Sequence, residues 1–561
     1  MHSEISLVEK QEQRWRRLEP QIVADPASYW FGSTDITVTN VTELLATAVP
    51  LYCHSQSRYY RDSDMLQRII AATKQLHRRQ LASGCISLMN CNIDSPPDTA
   101  FAVHLIGIAY QVLVKSGFSE AKEAEQLLRQ FLENTKPCLL TGGIHTPNHR
   151  WVMCRALALL YEIFPEDALR DRAYQYLNEG FDLTEYGEWT ERSNAVYNPH
   201  CDLALYHVYR VFGHEPSLEA GCRNLNMMLY LLHADHTIVT EYSSRQDRGS
   251  QEFMGGEYEI AYRLLAAETN NAQFASMAKL AAKSNKRPTL ELMYWLLYPE
   301  KMAWADQHDA PLPTEYTKLF DSGRRVRVPK EGGNREGFGP MHGAAVLRHR
   351  NGPLSVTAMA GQQDWLHVQY GEAKLIAFRL VIGYFGLGGV SFPTIQQVDE
   401  RTYRLHVDLL WGYQGPLEQE IAAPYGGYFS DMPNHLRELT HAVRLPVTVE
   451  LSLQDNAIEM AVVAEEVPQL IAQLVAAFDD AGELEGEGIV QPKSSLYQLR
   501  QGAAVYRKGT DWIRISEGAH EHTYEVIRGD NMDFGRKNVT INLVGPVRRQ
   551  VTMEYGRTSA E

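Results

Sequence analysis

The sequence predicts an α+β multidomain protein: an N-terminal (α/α) toroid of helical hairpins followed by a C-terminal antiparallel β-sandwich. Three observations carry this prediction. A loop, an apolar helix and a charged helix recur with a period of roughly 45–55 residues, the range in which stacked helix pairs are the physical explanation. Proline and glycine then cluster over residues 308–340, at Pro311, Pro313, Pro329, Gly332, Gly333, Gly337, Gly339 and Pro340, and break the texture. Beyond them the apolar period shortens to two, as on strands. The expected division is a toroid over 1–310, a linker over 311–340 and a sandwich over 341–561.

Taken in order, residues 1 to about 60 read as helical, with irregular pieces around Pro26, Trp30 and Gly32. Residues 61–81 place Met65, Ile69, Ile70, Leu76 and Leu81 at helical spacing. Gly84 to Thr99 reads as a long polar loop, and Pro96, Pro97 and Asp98 mark a helix start. That helix runs to about Val114 and is stopped by Gly117; an amphipathic one follows from Ser119 to Asn134. The unit then repeats. Loops at 142–148, 187–194 and 236–250 precede apolar helices at about 150–163, 196–212 and 253–267. Charged helices follow each, opened by Pro165, Pro216 and Asn271. Closing such pairs into a ring buries the apolar helices and gathers the polar loops at one mouth; an open superhelix of pairs is the alternative. In the second half, strands are expected from Ala345, Leu354, Arg404, Val447, Ala457, Ala504, Trp512 and Val539, with turn signals between them, as in a sandwich. A helical insertion is expected at Val467–Phe478, and a flexible acidic loop from Gly482.

Composition excludes several functions. The chain has 561 residues, 44% hydrophobic and 22% charged, so a large core forms without metal or disulfide support. A net charge of −15 disfavours a nucleic-acid partner, which demands clustered positive charge. A few Arg and His in one cleft still allow an anionic ligand. No segment reads as a membrane span, and the N-terminus lacks the pattern of a secretory signal. The seven cysteines, Cys53, Cys85, Cys91, Cys138, Cys154, Cys201 and Cys222, include no CxxC pair. They read as reduced thiols in a cytoplasmic protein. There is no Walker motif, no GxGxxG between strand and helix, and no HExxH. No cofactor and no metal are expected, and homo-oligomerisation is left open.

Two loops concentrate the chemistry. One runs from Gly187 through Glu188, Trp189, Glu191, Arg192, Ser193 and Tyr197 to His200; Tyr197 and His200, three apart, share a helix face. The other runs from Gly142 through His145 to Asn148, His149 and Trp151. Acid, base and aromatic groups in loops that feed buried helices build a pocket, read here as two halves of a sugar site. A third loop, Glu241 to Glu252, adds Arg245, Asp247 and Arg248. The alternative is ordinary inter-helix turns: Asn148 follows Pro147 and also suits an N-cap, and Tyr197 could pack in the ring.

Helical toroid followed by sandwich, the Asn148-His149 pair and Gly187-x-Trp189-x-Glu191-x-Ser193-x-x-x-Tyr197 resemble the uronic-acid polysaccharide lyases: the heparinase II/III-like, alginate and chondroitin/hyaluronate lyases. The resemblance implies β-elimination on an acidic oligosaccharide or polysaccharide. Asn148, with His149 or an arginine such as Arg192, would stabilise the enolate-like charge. His149 or Tyr197 would take the proton, and Tyr197 would protonate the leaving oxygen. A tyrosine serves as base only beside positive charge, which Arg192, Arg245 and Arg248 are placed to supply. Trp151, Trp189, Glu191, His200, Glu241, Arg245, Arg248 and Glu252 are the expected substrate contacts, and the stretch Trp365 to Tyr370 is set near the cleft. The heparinase-like His/Asp metal site in the strand domain is not matched by the local sequence. The rival readings are a glycoside hydrolase using a carboxylate pair drawn from Glu188, Glu191, Asp202, Glu241, Asp247 and Glu252, and a non-catalytic carbohydrate-binding protein.

Overall fold

Several helices of the first half start and stop on local chemistry. In the computed structural model, which describes residues 2–18, 38–88, 91–285, 288–321, 325–327, 341–343 and 345–558, the helices are α1 (His2–Leu18), α2 (Val38–Cys53), α3 (Ser63–Arg79), α4 (Pro96–Ser116), α5 (Lys122–Thr141), α6 (Pro147–Ile163), α7 (Asp167–Leu177), α8 (Tyr197–Phe212), α9 (Glu215–Met228), α10 (Glu257–Thr269), α11 (Ala272–Ser284), α12 (Glu291–Leu297) and α13 (Pro299–Gln307). Helix α4 shows the rule: Ser95 caps the Asp98 amide, two prolines fill the first turn, and Gly117 closes it at φ +68°. The region around Pro26, Trp30 and Gly32, and Pro329, Gly332, Gly333, Gly337, Gly339 and Pro340, lie outside the described residues.

The chain divides into two units, one helical and built mainly from residues up to Pro313, the other formed by His233–Asp235 and the residues from Thr314 onward. In the helical unit α6 is buried continuously from Trp151 to Leu160, the mark of a helix enclosed by others. Packing runs α2 to α4, α4 to α6, α6 to α8, α8 to α10 and α10 to α12, and α12 returns to α4 and α2. The charged helices α3, α5, α7, α9 and α11 pack outside their apolar partners. Each of α6, α8 and α10 follows a polar loop, and their first turns carry His149, His200 and Glu257; Phe101 lies in the second turn of α4.

Two sequence expectations for this unit change. The polar loop at 84–99 contains a two-stranded hairpin, Ile86–Leu88 with Asn92–Ser95. The thiols are not all reduced: Cys85 is disulfide-bonded to Cys138 of α5, a pairing 53 residues apart that spacing alone does not reveal. One helix, Pro96–Ser116, is long and apolar enough to cross a membrane by length and composition; 61% of that window is buried inside the protein, as in a core helix.

The second unit holds two large sheets. The ten-stranded one runs Ile489–Lys493, Leu496–Leu499, Lys537–Val544, Ile471–Phe478, Ala373–Ile382, Leu366–Tyr370, Leu354–Met359, Val346–Asn351 and Glu315–Phe320, with Gly388–Gly389 paired to Ala373–Ile382. The eight-stranded one runs Ile395–Gln397, Thr402–Gln414, Leu439–Leu453, Ala457–Ala464, Val547–Arg557, Asp511–Ser516, Ala503–Lys508 and Glu483–Glu485. Leu347, Val356, Phe378 and Leu474 of the first sheet share one core with Leu405, Val449, Met460 and Ile515 of the second. Pairing is antiparallel except between Leu496–Leu499 and Lys537–Val544, so the larger sheet is mixed.

The helical insertion expected at 467–478 is instead the strand Ile471–Phe478, held between Ala373–Ile382 and Lys537–Val544. A short, continuously apolar run reads alike as buried helix or buried strand. Glu315–Phe320, within the stretch expected to be a linker, pairs with Val346–Asn351. Trp365 is fully buried against Phe378 and Phe392 in the sheet core, which removes it from any cleft.

Candidate active site

The loop 187–196 is held down before it carries any chemistry. Gly187 has φ +106°, and a Cβ there would lie 2.2 Å from the Arg223 carbonyl oxygen, so glycine is required at this approach. Asn224 of α9 donates to the Gly187 carbonyl at 2.6 Å. Asp247, buried, accepts from Ser193 Oγ (3.0 Å), the Ala195 amide (3.0 Å) and Ser243 Oγ (2.9 Å). The Ser244 amide donates to the Arg192 carbonyl at 2.8 Å. The Gly187 and Glu241 loops are therefore laced into one body.

The Gly142 loop joins them through Glu191. Its carboxylate sits at the N-terminus of α6, where free amides and the helix dipole favour an anion. It accepts from the Asn148 amide (2.9 Å) and from Asn148 Nδ2 at both oxygens (2.9 Å each). Arg245 Nη1 lies 3.1 Å from Glu191 Oε1, and its guanidinium lies over the Tyr197 ring, 5.1 Å from the centroid. Asn148, Glu191, Arg245 and Tyr197 thus form one connected chain across three loops. Burial raises the Glu191 carboxyl above its usual range, while Asn148 and Arg245 pull it back. Tyr197 opens α8; Gln246 Nε2 donates to its hydroxyl oxygen at 3.1 Å, which leaves the phenol proton uncommitted in that bond.

His149 lies beside this chain on α6. Its ring packs against His145 (4.6 Å between centroids) and Phe101 (6.3 Å). Burial, then His145, then Arg245 push its pKa down to about 3, so the imidazole is neutral at physiological pH. Its Nδ1 is buried with no partner among the described residues. Phe101 in turn contacts His200 at 5.3 Å. His200 Nδ1 lies 3.4 Å from Glu257 Oε1, close but not aligned as a hydrogen bond; burial lowers its pKa, opposed by Glu257. Phe101, His200 and Glu257 line a cavity of about 490 Å³, together with Asp98 and His104.

Several expected site residues are used elsewhere. Arg192, fully buried at φ +49°, pairs with Glu188 (Nε to Oε1 3.1 Å) and lies over Tyr242; Arg245 is the cation at Tyr197. Trp151 and Trp189 are buried and pack on each other, 6.0 Å between centroids, so neither presents a face to a sugar. Trp189 Nε1 instead donates to Asp202 at 3.1 Å. Glu191 positions Asn148 and Arg245 rather than facing a ligand. Both donors of the Asn148 amide go to Glu191 and Thr146, and its buried Oδ1 has no partner among the described residues. Arg248 and Glu252 are exposed, and Glu241 is half-buried. Of the carboxylates a hydrolase would need, Glu188, Glu191, Asp202 and Asp247 are all buried and bonded. Gln246 and Phe101 were missed. Gln246 sits inside the charge-dense third loop; Phe101, an apolar residue on an apolar helix, carries no sequence signal.

No family model and no curated protein sequence matches the chain. Its fold does match that of several solved polysaccharide lyases. A chondroitin AC lyase from Streptomyces coelicolor, solved with chondroitin sulphate, aligns over 99% of this chain and 80% of that one, with a TM-score of 0.54 at 11% identity. A xanthan lyase from Paenibacillus aligns over 100% and 57%, with a TM-score of 0.53 at 8% identity. A heparan sulfate lyase mutant from Pedobacter heparinus aligns over 99% and 84%, with a TM-score of 0.50 at 9% identity.

Proposed function

We propose that this protein is a glycan lyase that cleaves uronic-acid-containing oligosaccharides or polysaccharides by β-elimination. In this reading the closed circuit of helices over residues 1–310 is an (α/α) toroid that carries the reaction. The two sheets that share a core are a β-sandwich over 341–561. The observation that supports the chemistry most directly is the chain Asn148–Glu191–Arg245–Tyr197, which ties the phenol and the Asn148-His149 pair into one environment.

The reaction removes the proton at C5 of a uronate and expels the oxygen at C4. Neutral His149, with an unpartnered Nδ1, is the proton acceptor. Its low pKa reflects burial without a counter-charge, and an incoming carboxylate supplies one and strengthens the base. Tyr197 gives its hydroxyl proton to the C4 oxygen as that bond breaks and the C4–C5 double bond forms. Arg245, adjoining both Glu191 and Tyr197, is the cation placed to meet the uronate charge in the transition state. Asn148 then acts by fixing Glu191, and through it Arg245, rather than by donating to substrate.

Incubation with alginate, glucuronan and glycosaminoglycan oligomers tests this. A near-ultraviolet chromophore from the unsaturated product is expected with at least one of them. New reducing ends without that chromophore would identify a hydrolase instead, and sugar binding without turnover, surviving Tyr197→Phe, a binding protein.

A further inference from the structure

Arg155 lies on α6, seven residues and two turns beyond Asn148, and is completely buried. Its Nε, Nη1 and Nη2 all lack a hydrogen-bond partner among the described residues. A guanidinium keeps its charge at every pH a protein meets and carries five N–H donors. Such a group, dry and without a counter-charge, is strongly unfavourable. The side chains electrostatically close to it are Tyr294, Glu257, His104, His200 and His207. Glu257, the one carboxylate in that set, stands beside His200 and makes no hydrogen bond to Arg155.

The neighbouring rings add donors, not charge. His104 Nε2 and His207 Nε2 both meet the Tyr294 hydroxyl, at 2.9 and 2.5 Å. One hydroxyl has one proton, so one ring accepts it and the other donates. The accepting ring carries its own proton on Nδ1. His207 Nδ1 is buried without a partner among the described residues, so with that tautomer it is a further N–H donor. A cationic centre whose spare groups are N–H donors suits an anion. Complete burial of the three nitrogens favours a small anion over a sugar or a phosphate ester, and His104, of the neighbouring ring pair, also lines the 490 Å³ cavity.

We propose that Arg155, with His207 beside it, binds a halide-sized monovalent anion inside the helical unit. This site is independent of the elimination chemistry proposed above. The test uses the full chain in two arms. Crystals soaked in sodium bromide and measured at the bromine absorption edge should show an anomalous peak within hydrogen-bond distance of Arg155. In solution, bromide or chloride should raise Tm by about 2 °C over gluconate at equal ionic strength, and Arg155→Met should abolish that difference. Equal Tm in halide and gluconate, or peaks only elsewhere, overturns the proposal. A peak at Arg155 with no change in Tm is binding at crystal concentration only and also overturns it. If Arg155→Met does not fold, the two wild-type measurements decide.

Discussion

Acid should destabilise the helical unit through His149, because burial holds its ring neutral. Its pKa falls from 6.5 to about 3 on folding. A histidine depressed this way stays neutral in the native state while the unfolded chain takes up a proton. Stability is therefore full above about pH 6.5 and is lost as pH falls toward 3. At pH 4.5 the unfolded ring has been protonated over two pH units and the folded ring has not, which costs about 3 kcal/mol. That figure depends on the unfolded pKa alone while the folded value stays below pH 4.5. His104, His200 and His207 are lowered for the same reason, so the wild type loses more than this in total. The difference between wild type and His149→Gln isolates the one ring. Urea unfolding followed by tryptophan fluorescence at pH 7.5 and 4.5 measures it: the variant should lose about 3 kcal/mol less than wild type across that interval. Parallel losses in the two proteins would show that His149 is not held neutral, and would remove the argument that makes it the proton acceptor.

Tyr197→Phe should abolish product formation with stability changed by less than about 1 kcal/mol, because the hydroxyl makes one side-chain bond, from Gln246; turnover near wild type in a kinetic assay refutes its role. Asn148→Ala should also lose activity but with a visible fall in stability of about 1–3 kcal/mol, since Glu191 loses a buried donor, measured by calorimetry alongside turnover. Gly187→Ala should cost at least about 2 kcal/mol, from the positive φ and the contact with the Arg223 carbonyl, and a thermal melt reads it. Thiol titration in denaturant should count five free cysteines of the seven, the Cys85–Cys138 bond accounting for the rest; a count of seven would return the thiols to the reduced state expected from the sequence.

The helix pairs were legible because their signals are local. Pro96-Pro97 with Ser95 and Gly117, or Asn271 capping α11 through the Gln273 and Phe274 amides, announce their ends in the sequence itself. Exposed-face alternation did the same for strands such as Asp511–Ser516, buried at every second residue. What failed had no periodicity to read. Ile471–Phe478 is buried on nearly every residue because neighbours cover both its faces, and its apolar run therefore matched a buried helix as well as a strand. The disulfide and the strand Glu315–Phe320 depend on partners dozens of residues away, which neither composition nor spacing specifies.

The site shows a different limit. A sequence reveals where charge is dense, but not which charges the fold consumes. Arg192 and Arg245 both lie in loops rich in acids, and either suits a phenol by residue type. The left-handed backbone at Arg192 turns its guanidinium inward onto Glu188, where an unpaired carboxylate would be costly. Arg245, partly accessible, bridges Glu191 to Tyr197. The same selection removes Trp151 and Trp189, whose apolar bodies are worth more in the core than at a mouth. It also turns Glu191 from a contact into the post that fixes Asn148. Residues that remain available after these pairings, Tyr197 with its free proton and His149 with its unpartnered Nδ1, are the ones to which reactivity is assigned, because a group already committed to a buried ion pair cannot leave it for substrate without paying the desolvation of its partner.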